Sequence, residues 1–278
     1  MTTKTNKTIL ITGCSTGIGF TVANALHERG YRVFATARKK EDVTRLNEMG
    51  LESLQLDLTD SLSIKNAVKE ILNRTGGTLD ALFNNGAYGQ AGALEDITRN
   101  TLKEQFETNV FGWHELTNLL LPVMHKQGHG RIIQNSSVLG IIALKFRGAY
   151  TASKYAIEGL SDTLRQELIN TNIHVSLIEP GPIESQFRAN SFIAYKKNIN
   201  KENSRYRENY IAMEKRLETI GAAVPFTLPA EAVVKKVIHA LESKKPRAHY
   251  YVTFPTYLFG YLKRILPARL MDKILNKV

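Results

Sequence analysis

The sequence is poor in cysteine and in long apolar runs. Its one cysteine, Cys14, cannot form an intramolecular disulfide, so the reducing cytoplasm is the expected compartment. No stretch reaches the roughly 18 apolar residues that a membrane-spanning helix needs. The apolar run near the N-terminus is too short for a signal peptide and is followed at once by glycines. The chain is therefore predicted to be cytoplasmic.

Metal-ligand spacings and nucleic-acid motifs are also missing. The seven histidines show no HExxH or similar spacing, so no metal site is expected. The net charge of +11 is concentrated after residue 195, where 17 Lys and Arg accompany only 7 Asp and Glu. No recognisable motif goes with these charges, which argues against a nucleic-acid partner. They form either a solvated basic surface or a surface that attracts an anionic ligand or membrane.

Alternating strand-like and helix-like segments indicate the fold. Short β-branched apolar runs alternate with segments of helical periodicity: the runs are 7–12, 31–37, 51–58, 79–85, 130–136 and 173–179, and the helical segments are 17–29, 39–49, 60–74, 98–127 and 150–170. Such strands predict a parallel sheet that helices cover on both faces. We therefore expect a Rossmann-type, doubly wound α/β fold, with a single domain over residues 1–278.

The pattern changes after the sixth predicted strand. Residues 184–210 are polar and lack strong periodicity, which predicts a mobile loop, and 184–226 as a whole is interpreted as a substrate loop or lid. A helix over 227–243 and a last strand over 248–253 are expected next. Residues 254–278 are expected to form a helical C-terminal extension.

The segment TILITGCSTGIGF places three glycines between a strand and a helix. Glycine permits a tight turn and close approach of the backbone to a pyrophosphate, whose charge the helix N-terminus favours. The spacing is GxxxGxG, not the GxGxxG of the dinucleotide fingerprint, and a turn that binds nothing is the alternative. We expect this segment to contact a dinucleotide through Thr12, Gly13, Ser15, Thr16, Gly17, Ile18 and Gly19.

The end of the second predicted strand indicates which nicotinamide cofactor is bound. Enzymes that use NAD place an acid there to hold the ribose 2′-hydroxyl. This chain has Arg38, Lys39 and Lys40 instead. A guanidinium can pair with a 2′-phosphate through charge-assisted bonds. NADP(H) is thus favoured over NAD(H), the alternative being a basic cluster that only begins the next helix.

The stretch GAYTASKYAIEGL places Tyr150 four residues before Lys154. Residues three or four apart share one face of a helix, so this pair can meet over one point while Tyr155 points elsewhere. A phenol with its ordinary pKa of about 10 is a poor proton shuttle at neutral pH, and a nearby ammonium group together with an oxidised nicotinamide lowers that pKa. Tyr150 is accordingly predicted to be a general acid/base.

Six motifs together resemble one enzyme family. The glycine turn is followed by NNGA (84–87), FETNVFG (106–112), RIIQNSS (131–137), YTASK (150–154) and EPGPI (179–183). In this order and spacing they resemble the short-chain dehydrogenase/reductase family over roughly residues 7–185. The chain looks most similar to the bacterial NADP-dependent aldehyde reductases of that family and to their retinol and hydroxysteroid dehydrogenase relatives.

The resemblance implies a catalytic tetrad of Asn109, Ser137, Tyr150 and Lys154. Ser137 would polarise the substrate carbonyl, and the family's interval to the tyrosine selects it over Ser136. Lys154 would also hold the nicotinamide ribose. Asn109, placed in the middle of the 98–127 helix, would hold a water molecule in a proton relay.

The resemblance also implies cofactor contacts after the third, fourth and sixth strands. They are Asp57 and Leu58 at the adenine, Asn85 and Gly86 in the NNGA motif, and Pro180, Gly181 and Ile183 at the carboxamide. The family's NNAG is exchanged here to NNGA. Ala87 would therefore be strained if its backbone needed a positive φ.

These features predict an NADP(H)-dependent oxidoreductase that interconverts an aldehyde or ketone with an alcohol and takes an apolar substrate. A hydroxysteroid or retinol dehydrogenase is the alternative within this class. A non-catalytic NADP(H)-binding redox sensor is the alternative outside it. The expected partners are the small substrate and, as an open alternative, a second copy of the chain.

The C-terminal segment YYVTFPTYLFGYLKRILPARLMDKIL (250–275) combines apolar and aromatic residues with basic ones. It is interpreted as a helix-rich tail that packs on the domain and walls an apolar cleft. The alternative is peripheral contact with an anionic membrane surface at the inner face of the membrane.

Overall fold

A computed structural model describes residues 7–219, 221 and 224–277. Seven parallel strands form one sheet in the order β3-β2-β1-β4-β5-β6-β7. The strands are β1 (Thr8–Ile11), β2 (Arg32–Ala37), β3 (Glu52–Gln55), β4 (Ala81–Asn84), β5 (Gly130–Asn135), β6 (Ile173–Glu179) and β7 (His249–Tyr251). The predicted doubly wound parallel sheet is confirmed.

Helices cover the sheet and extend beyond it at the C-terminus. They are α1 (Gly17–Glu28), α2 (Lys40–Glu48), α3 (Ser61–Thr75), α4 (Arg99–Phe106), α5 (Gly112–Gln127), α6 (Gly148–Glu167), α7 (Phe187–Asn198), α8 (Arg207–Glu218), α9 (Glu231–Glu242), α10 (Phe254–Ile265) and α11 (Ala268–Leu275). Among the described residues, no helix is both long and apolar enough to cross a bilayer.

The hydrophobic core lies in two layers, one on each face of the sheet. Side chains of β1 alternate between them: Ile9 and Ile11 pack with Val22 of α1, and Leu10 packs with Trp113 of α5. All four residues of β1 are buried. This explains why apolar side chains dominate the central strands, since a strand covered on both faces has few positions for a polar side chain.

The polar segment after β6 is helical, which corrects the mobile loop expected over residues 184–210. α7 and α8 pack against each other, and Tyr195 of α7 meets Tyr210 of α8 with ring centroids 5.4 Å apart. Each helix buries only two or three side chains. The apolar periodicity of α7 and α8 is therefore too weak to be recognised in the sequence.

The long helix predicted over 98–127 is interrupted. α4 passes into a π-helical turn over Glu107–Phe111 before α5 begins at Gly112. Such turns insert an extra residue into a helix and occur frequently at functional sites. Asn109 lies within this turn and is fully buried.

The C-terminal extension is helical, as expected. Phe259 of α10 and Met271 of α11 join a cluster with Leu139, Ile142 and Tyr150. α10 also has Pro255 in its first turn, where a missing backbone N–H costs nothing. The tail thus packs against the part of the domain that holds Tyr150.

Candidate active site

A cleft opens at the carboxyl ends of the strands and has a volume of about 370 Å³. Ligands of doubly wound sheets bind at this edge. Most residues predicted for the cofactor or the reaction line it: Gly13, Ser15, Thr16, Gly17, Ile18, Asn85, Gly86, Ser137, Tyr150, Lys154, Pro180, Gly181 and Ile183. The other predicted residues are not part of its lining: Thr12, Gly19, Arg38, Asp57, Leu58 and Asn109.

The glycine turn forms a cradle of bare backbone at the N-terminus of α1. Gly13 and Gly17 have φ angles of +70° and +60°, a region that favours glycine. A Cβ atom on Gly13 would lie 2.5 Å from the Cα of Gly86, and one on Gly17 would lie 3.0 Å from the Cβ of Ser185. A dinucleotide pyrophosphate fits this cradle because the helix N-terminus favours an anion.

The exchanged NNGA motif fits this geometry without strain. Gly86 packs on the turn, since a Cβ there would lie 3.2 Å from the backbone nitrogen of Gly13. Ala87 is not among the residues of positive φ, so the strain expected at this position does not occur. Its methyl group packs against the core cluster of α5. Glycine therefore stands where two chain segments meet, and alanine stands where the core can take a methyl group.

A chain of hydrogen bonds connects the glycine turn to Lys154. The hydroxyl of Thr12 accepts from the backbone nitrogens of Asn85 and Gly86, both at 2.9 Å. Asn135 Nδ2 donates to Asn85 Oδ1 at 2.8 Å. Lys154 Nζ donates to the carbonyl of Asn135 at 2.6 Å. Asn135 was not predicted as a site residue from the sequence. Its position directly before Ser136 and Ser137 is the one feature that could have indicated it.

Tyr150 stands in the cleft wall with 8% of its surface exposed. Its ring packs on Phe187 with centroids 5.1 Å apart. Burial raises the pKa of the Tyr150 phenol above its ordinary value, and a hydrogen bond with Ser137 partly opposes this rise. In the protein alone, lost hydration thus outweighs the Lys154 ammonium, which lies 5.6 Å from the ring centre. The lowered pKa expected from this ammonium together with an oxidised nicotinamide stays a prediction.

Tyr155 points away from this wall, as the helix spacing predicts. It is 38% exposed, and its hydroxyl donates to the carbonyl of Ile141. Ser137 begins the short turn over Val138–Gly140, where its hydroxyl accepts from Leu139 N at 3.1 Å. Ser136 also lines the cleft, but its hydroxyl donates to the carboxyl group of Glu158. Of the two tyrosines only Tyr150 lines the cleft, whereas the two serines both line it and differ in their hydrogen-bond partners.

Lys154 is buried beneath the cleft, with 1% of its surface exposed. Its ammonium lies 4.3 Å from the ring centre of Trp113, and Trp113 Nε1 donates to the carbonyl of Gly86 at 2.8 Å. Burial lowers the pKa of Lys154 to about 7, and the nearby Glu158 carboxyl partly opposes this. Trp113 was not predicted as a site residue, because a tryptophan in a helix is usually a core residue.

Asn109 lies one layer behind the cleft. Its Nδ2 donates to the carbonyl of Tyr88 at 2.9 Å and to the hydroxyl of Ser153 at 3.1 Å, and its Oδ1 accepts from Tyr88 N at 3.2 Å. These bonds tie the π-helical turn to α6, the helix of Tyr150 and Lys154. The side chain is therefore occupied with protein partners.

Two arginines flank the glycine turn at the adenosine end expected for the cofactor. Arg38 is exposed at the end of β2, where its carbonyl accepts from Gln55 Nε2 at 2.9 Å. Arg45 of α2, which no sequence motif indicated, donates to the carbonyl of Ser15 at 2.6 Å. Asp57 and Leu58 end the neighbouring strand region, with Leu58 buried and Asp57 half-buried.

The segment after β6 completes the cleft. The carbonyl of Pro180 accepts from Val138 N at 2.8 Å, so this segment is bonded to the turn that follows Ser137. Gly181 packs against the hydroxyl of Thr253 at a distance that leaves no room for a side chain. Ile183 pairs with Leu228 in an isolated parallel bridge. Among the residues that the structure describes, none after α9 lines the cleft, so the C-terminal tail supports the wall from behind.

An acidic cluster lies under the cleft wall, next to Ser136. His249 Nδ1 is 2.9 Å from Glu179 Oε1 and 3.8 Å from Glu158 Oε2, and Asp162 lies 3.5 Å from His249 Nε2. Burial and then the Glu179 charge raise the pKa of Glu158 well above its usual range. The hydrogen bond from His249 to Glu179 raises the pKa of the imidazole.

The fold and these residues define a family of oxidoreductases. The family model described as short chain dehydrogenase matches residues 7–196. The chain belongs to the short-chain dehydrogenase/reductase family, whose fold binds a nicotinamide dinucleotide. The resemblance noted in the sequence motifs is confirmed.

Individual relatives agree with this membership. The chain is 45% identical over 270 residues to the uncharacterized oxidoreductase YbbO of Escherichia coli K12, covering 97% of this chain and 94% of YbbO. It is 32% identical to the NADPH-dependent 3-dehydrocapnine reductase of Ornithobacterium rhinotracheale, covering 96% and 95% of the two chains. It is also 32% identical to human 17-beta-hydroxysteroid dehydrogenase type 1, covering 88% and 77%.

A solved structure shows the same architecture. A short-chain dehydrogenase from Streptomyces avermitilis superposes with a TM-score of 0.78 at 27% identity. The match covers 99% of this chain and 95% of that one. Both the sheet and the helical C-terminus therefore belong to the common fold.

The acidic cluster predicts a pH-dependent stability that Glu158→Gln removes. The raised pKa means that folded Glu158 keeps its proton to higher pH than the unfolded chain does, so its stabilising contribution is present at low pH and is lost as the pH rises through the folded pKa. Relative to Glu158→Gln, the free energy of unfolding of the wild type should fall by about 1.4 kcal/mol for each pH unit over which Glu158 is protonated in the folded chain and ionised in the unfolded one. Tm values at half-unit steps from pH 5 to 9 measure this.

Glu167→Gln is the control, because Glu167 is an exposed glutamate on the same helix. Its Tm should parallel that of the wild type at every pH. Parallel plots of Tm against pH for Glu158→Gln and the wild type would contradict the claim that folded Glu158 keeps its proton to higher pH.

Proposed function

We propose that the protein is an NADP(H)-dependent reductase of apolar aldehydes or ketones, in which Tyr150 is the general acid/base. The observation that carries the proposal is that Ser137 and Tyr150 line the wall of one cleft. Lys154 lies directly beneath the pair, and the backbone cradle of the glycine turn opens into the same cleft. A proton donor, a carbonyl-binding hydroxyl and a cofactor cradle are thus within one cavity.

The residues act on the carbonyl oxygen. NADPH, when bound, supplies a hydride to the carbonyl carbon. Ser137 donates a hydrogen bond to the carbonyl oxygen, and Tyr150 gives its phenolic proton to that oxygen as the alcohol forms. The ammonium of Lys154 stabilises the phenolate that remains.

Preference for NADP(H) rests on the two arginines beside the glycine turn. Arg38 directly follows β2, where an NAD enzyme has an acid for the ribose 2′-hydroxyl, and Arg45 of α2 donates to the carbonyl of Ser15 in the glycine turn. Guanidinium groups suit a 2′-phosphate because they bind it through charge-assisted bonds. The relative from Ornithobacterium rhinotracheale that is described as NADPH-dependent supports the same preference.

The cleft walls favour an apolar substrate. Next to Tyr150 the cavity is lined by the apolar side chains Val138, Leu139, Leu144, Phe187 and Leu217. Two of these come from α7 and α8, so the helical segment that follows β6 acts as the lid over the substrate. A panel of octanal, 2-octanone, retinal and a ketosteroid with NADPH would rank the aldehyde reductase against the retinol and hydroxysteroid alternatives.

The outer face of α10 is proposed to contact an anionic membrane surface. Its exposed apolar residues share one side of the helix: Phe254, Tyr257, Leu258, Tyr261 and Ile265. Five basic residues and one acid occur between 254 and 278. An apolar stripe beside clustered cations is the pattern of a helix that lies in the membrane interface.

Tyr150→Phe should abolish turnover and leave NADPH binding largely intact, because it removes the transferable proton and almost no volume. Turnover is measured as NADPH oxidation with octanal, and binding as energy transfer from Trp113, the single tryptophan, to NADPH. Tyr155→Phe is the matched control on the same helix and should keep near-normal turnover. Substantial turnover by Tyr150→Phe would rule out its role as the proton donor.

Arg38→Asp should shift the preference from NADP(H) toward NAD(H). The carboxylate repels the 2′-phosphate and offers the free ribose hydroxyl an acceptor. The ratio of kcat/KM for NADPH and NADH measures the shift. Lys126→Asp, which changes the charge equally near the amino end of β5, should leave the ratio unchanged. An unmoved ratio in Arg38→Asp would remove this residue from cofactor selection.

The double variant Tyr261→Ser/Ile265→Ser should lose binding to vesicles that contain 30% phosphatidylglycerol. Both side chains are more than half exposed, so the fold should tolerate the change. Binding is measured by co-sedimentation and should weaken with added salt. Ile211→Ser, an equally exposed position on α8, is the control that should still bind. Equal binding by the double variant and the wild type, or no wild-type binding at low salt, would contradict membrane contact.

A further inference from the structure

Three arginines line the substrate side of the cleft. Arg147 directly precedes α6, three residues before Tyr150; Arg188 follows Phe187 on α7; and Arg216 lies on α8. They come from three separate segments, yet they face one cavity that also holds Ser137 and Tyr150. The mechanism proposed above uses none of them.

These arginines have no acidic partner within the part of the chain that the structure describes. None of the three takes part in an ion pair there. Arg188 Nη2 donates to the carbonyl of Gly221, but its Nη1 is buried and has no hydrogen-bond partner among the described residues. A buried guanidinium nitrogen without an acceptor is costly unless a ligand supplies one.

The three cations also repel one another. Burial, and then the charge of Arg216, lower the pKa of Arg147 to about 10. Burial, and then the charge of Arg188, lower the pKa of Arg216. Like charges held together without a counter-ion destabilise the fold. An anion in the cleft would reverse the sign of this interaction.

We propose that Arg147, Arg188 and Arg216 form a subsite for an anionic group of the substrate. Its ligand is a carboxylate, sulfonate or phosphate carried at the end of an apolar chain whose carbonyl group meets Ser137 and Tyr150. Guanidinium groups suit these anions because their paired N–H donors match the oxygen geometry. The carbonyl end of this substrate class rests on the proposed reductase function, whereas anion binding does not.

The apolar walls and the arginines are compatible in one ligand. Val138, Leu144 and Leu217 line the cleft along with the arginines, so an aliphatic chain can cover the apolar surface while its charged end reaches the guanidinium groups. A purely apolar alcohol or aldehyde would leave the cations unpaired. The structure therefore favours amphipathic carbonyl compounds over hydrocarbon-like ones.

Calorimetric titration with octanoate and 1-octanol tests the subsite without any turnover. Both probes have eight carbons, and the protein is used with and without saturating NADP⁺ so that cofactor phosphates are distinguished from the probe. Octanoate should bind at least about tenfold more tightly than 1-octanol. This difference in affinity should decrease as the salt concentration rises, because salt screens the charges. Octyl phosphate in place of octanoate shows which anion is preferred.

Arg147→Gln should weaken octanoate binding by about tenfold, and Arg216→Gln should weaken it in the same direction. Both substitutions should raise Tm in the absence of anion, because they relieve repulsion. Lys215→Gln changes the same charge at the neighbouring position of α8, outside the cleft lining, and should do neither. Arg216 is exposed on its helix, so this variant remains informative if Arg147→Gln fails to fold.

Turnover separates the two proposals. Suberic semialdehyde should have a higher kcat/KM than octanal. In Arg216→Gln the difference in kcat/KM between the two aldehydes should be smaller than in the wild type. Octanoate binding that depends on the arginines, without reduction of either aldehyde, would keep the subsite and remove the reductase. Equal affinity for octanoate and 1-octanol, or octanoate binding unchanged in both arginine variants, would overturn the subsite.

Discussion

The bond between the Lys154 ammonium and the carbonyl of Asn135 is the interaction on which the rest of the site depends. It places a cation under the cleft with almost no access to water. Such a group is tolerated only where hydrogen-bond acceptors and a π face replace its hydration, and here the Asn135 carbonyl and the Trp113 ring do so. Because Asn135 ends β5 and Lys154 belongs to α6, the same bond sets the position of Tyr150 relative to the sheet.

From that point the site extends in two directions, and each ends in positive charge. Toward the cofactor, Asn135 bonds to Asn85, which is held by Thr12 at the glycine turn beside Arg45. Toward the substrate, the wall of Tyr150 continues to Arg147 and the lid arginines. A ligand set with an anionic group at both ends, one on the cofactor and one on the substrate, matches this distribution. Some of the basic residues that give the chain its positive net charge therefore belong to the site.

The strands and the motif residues could be predicted because their signals are local. A strand covered on both faces must be apolar, and YTASK must present Tyr150 and Lys154 on one helix face, whatever the rest of the chain does. α7 and α8 could not be predicted, since only a few of their residues are buried. The raised pKa of Tyr150 in the protein alone could not be predicted, because hydration is a property of the whole cavity, which no spacing in the sequence records. The arginine group was missed for a similar reason: its members lie 28 or more positions apart along the chain.

The central claim is that this cleft transfers a hydride from a nicotinamide cofactor to a carbonyl carbon. The most direct test is reduction of octanal with NADPH deuterated at the transferring position of C4, followed by mass spectrometry of the alcohol. The account predicts 1-octanol with one deuterium on the carbinol carbon. Octanol without deuterium, or no octanol from a protein that binds NADPH and is offered both octanal and suberic semialdehyde, would contradict it.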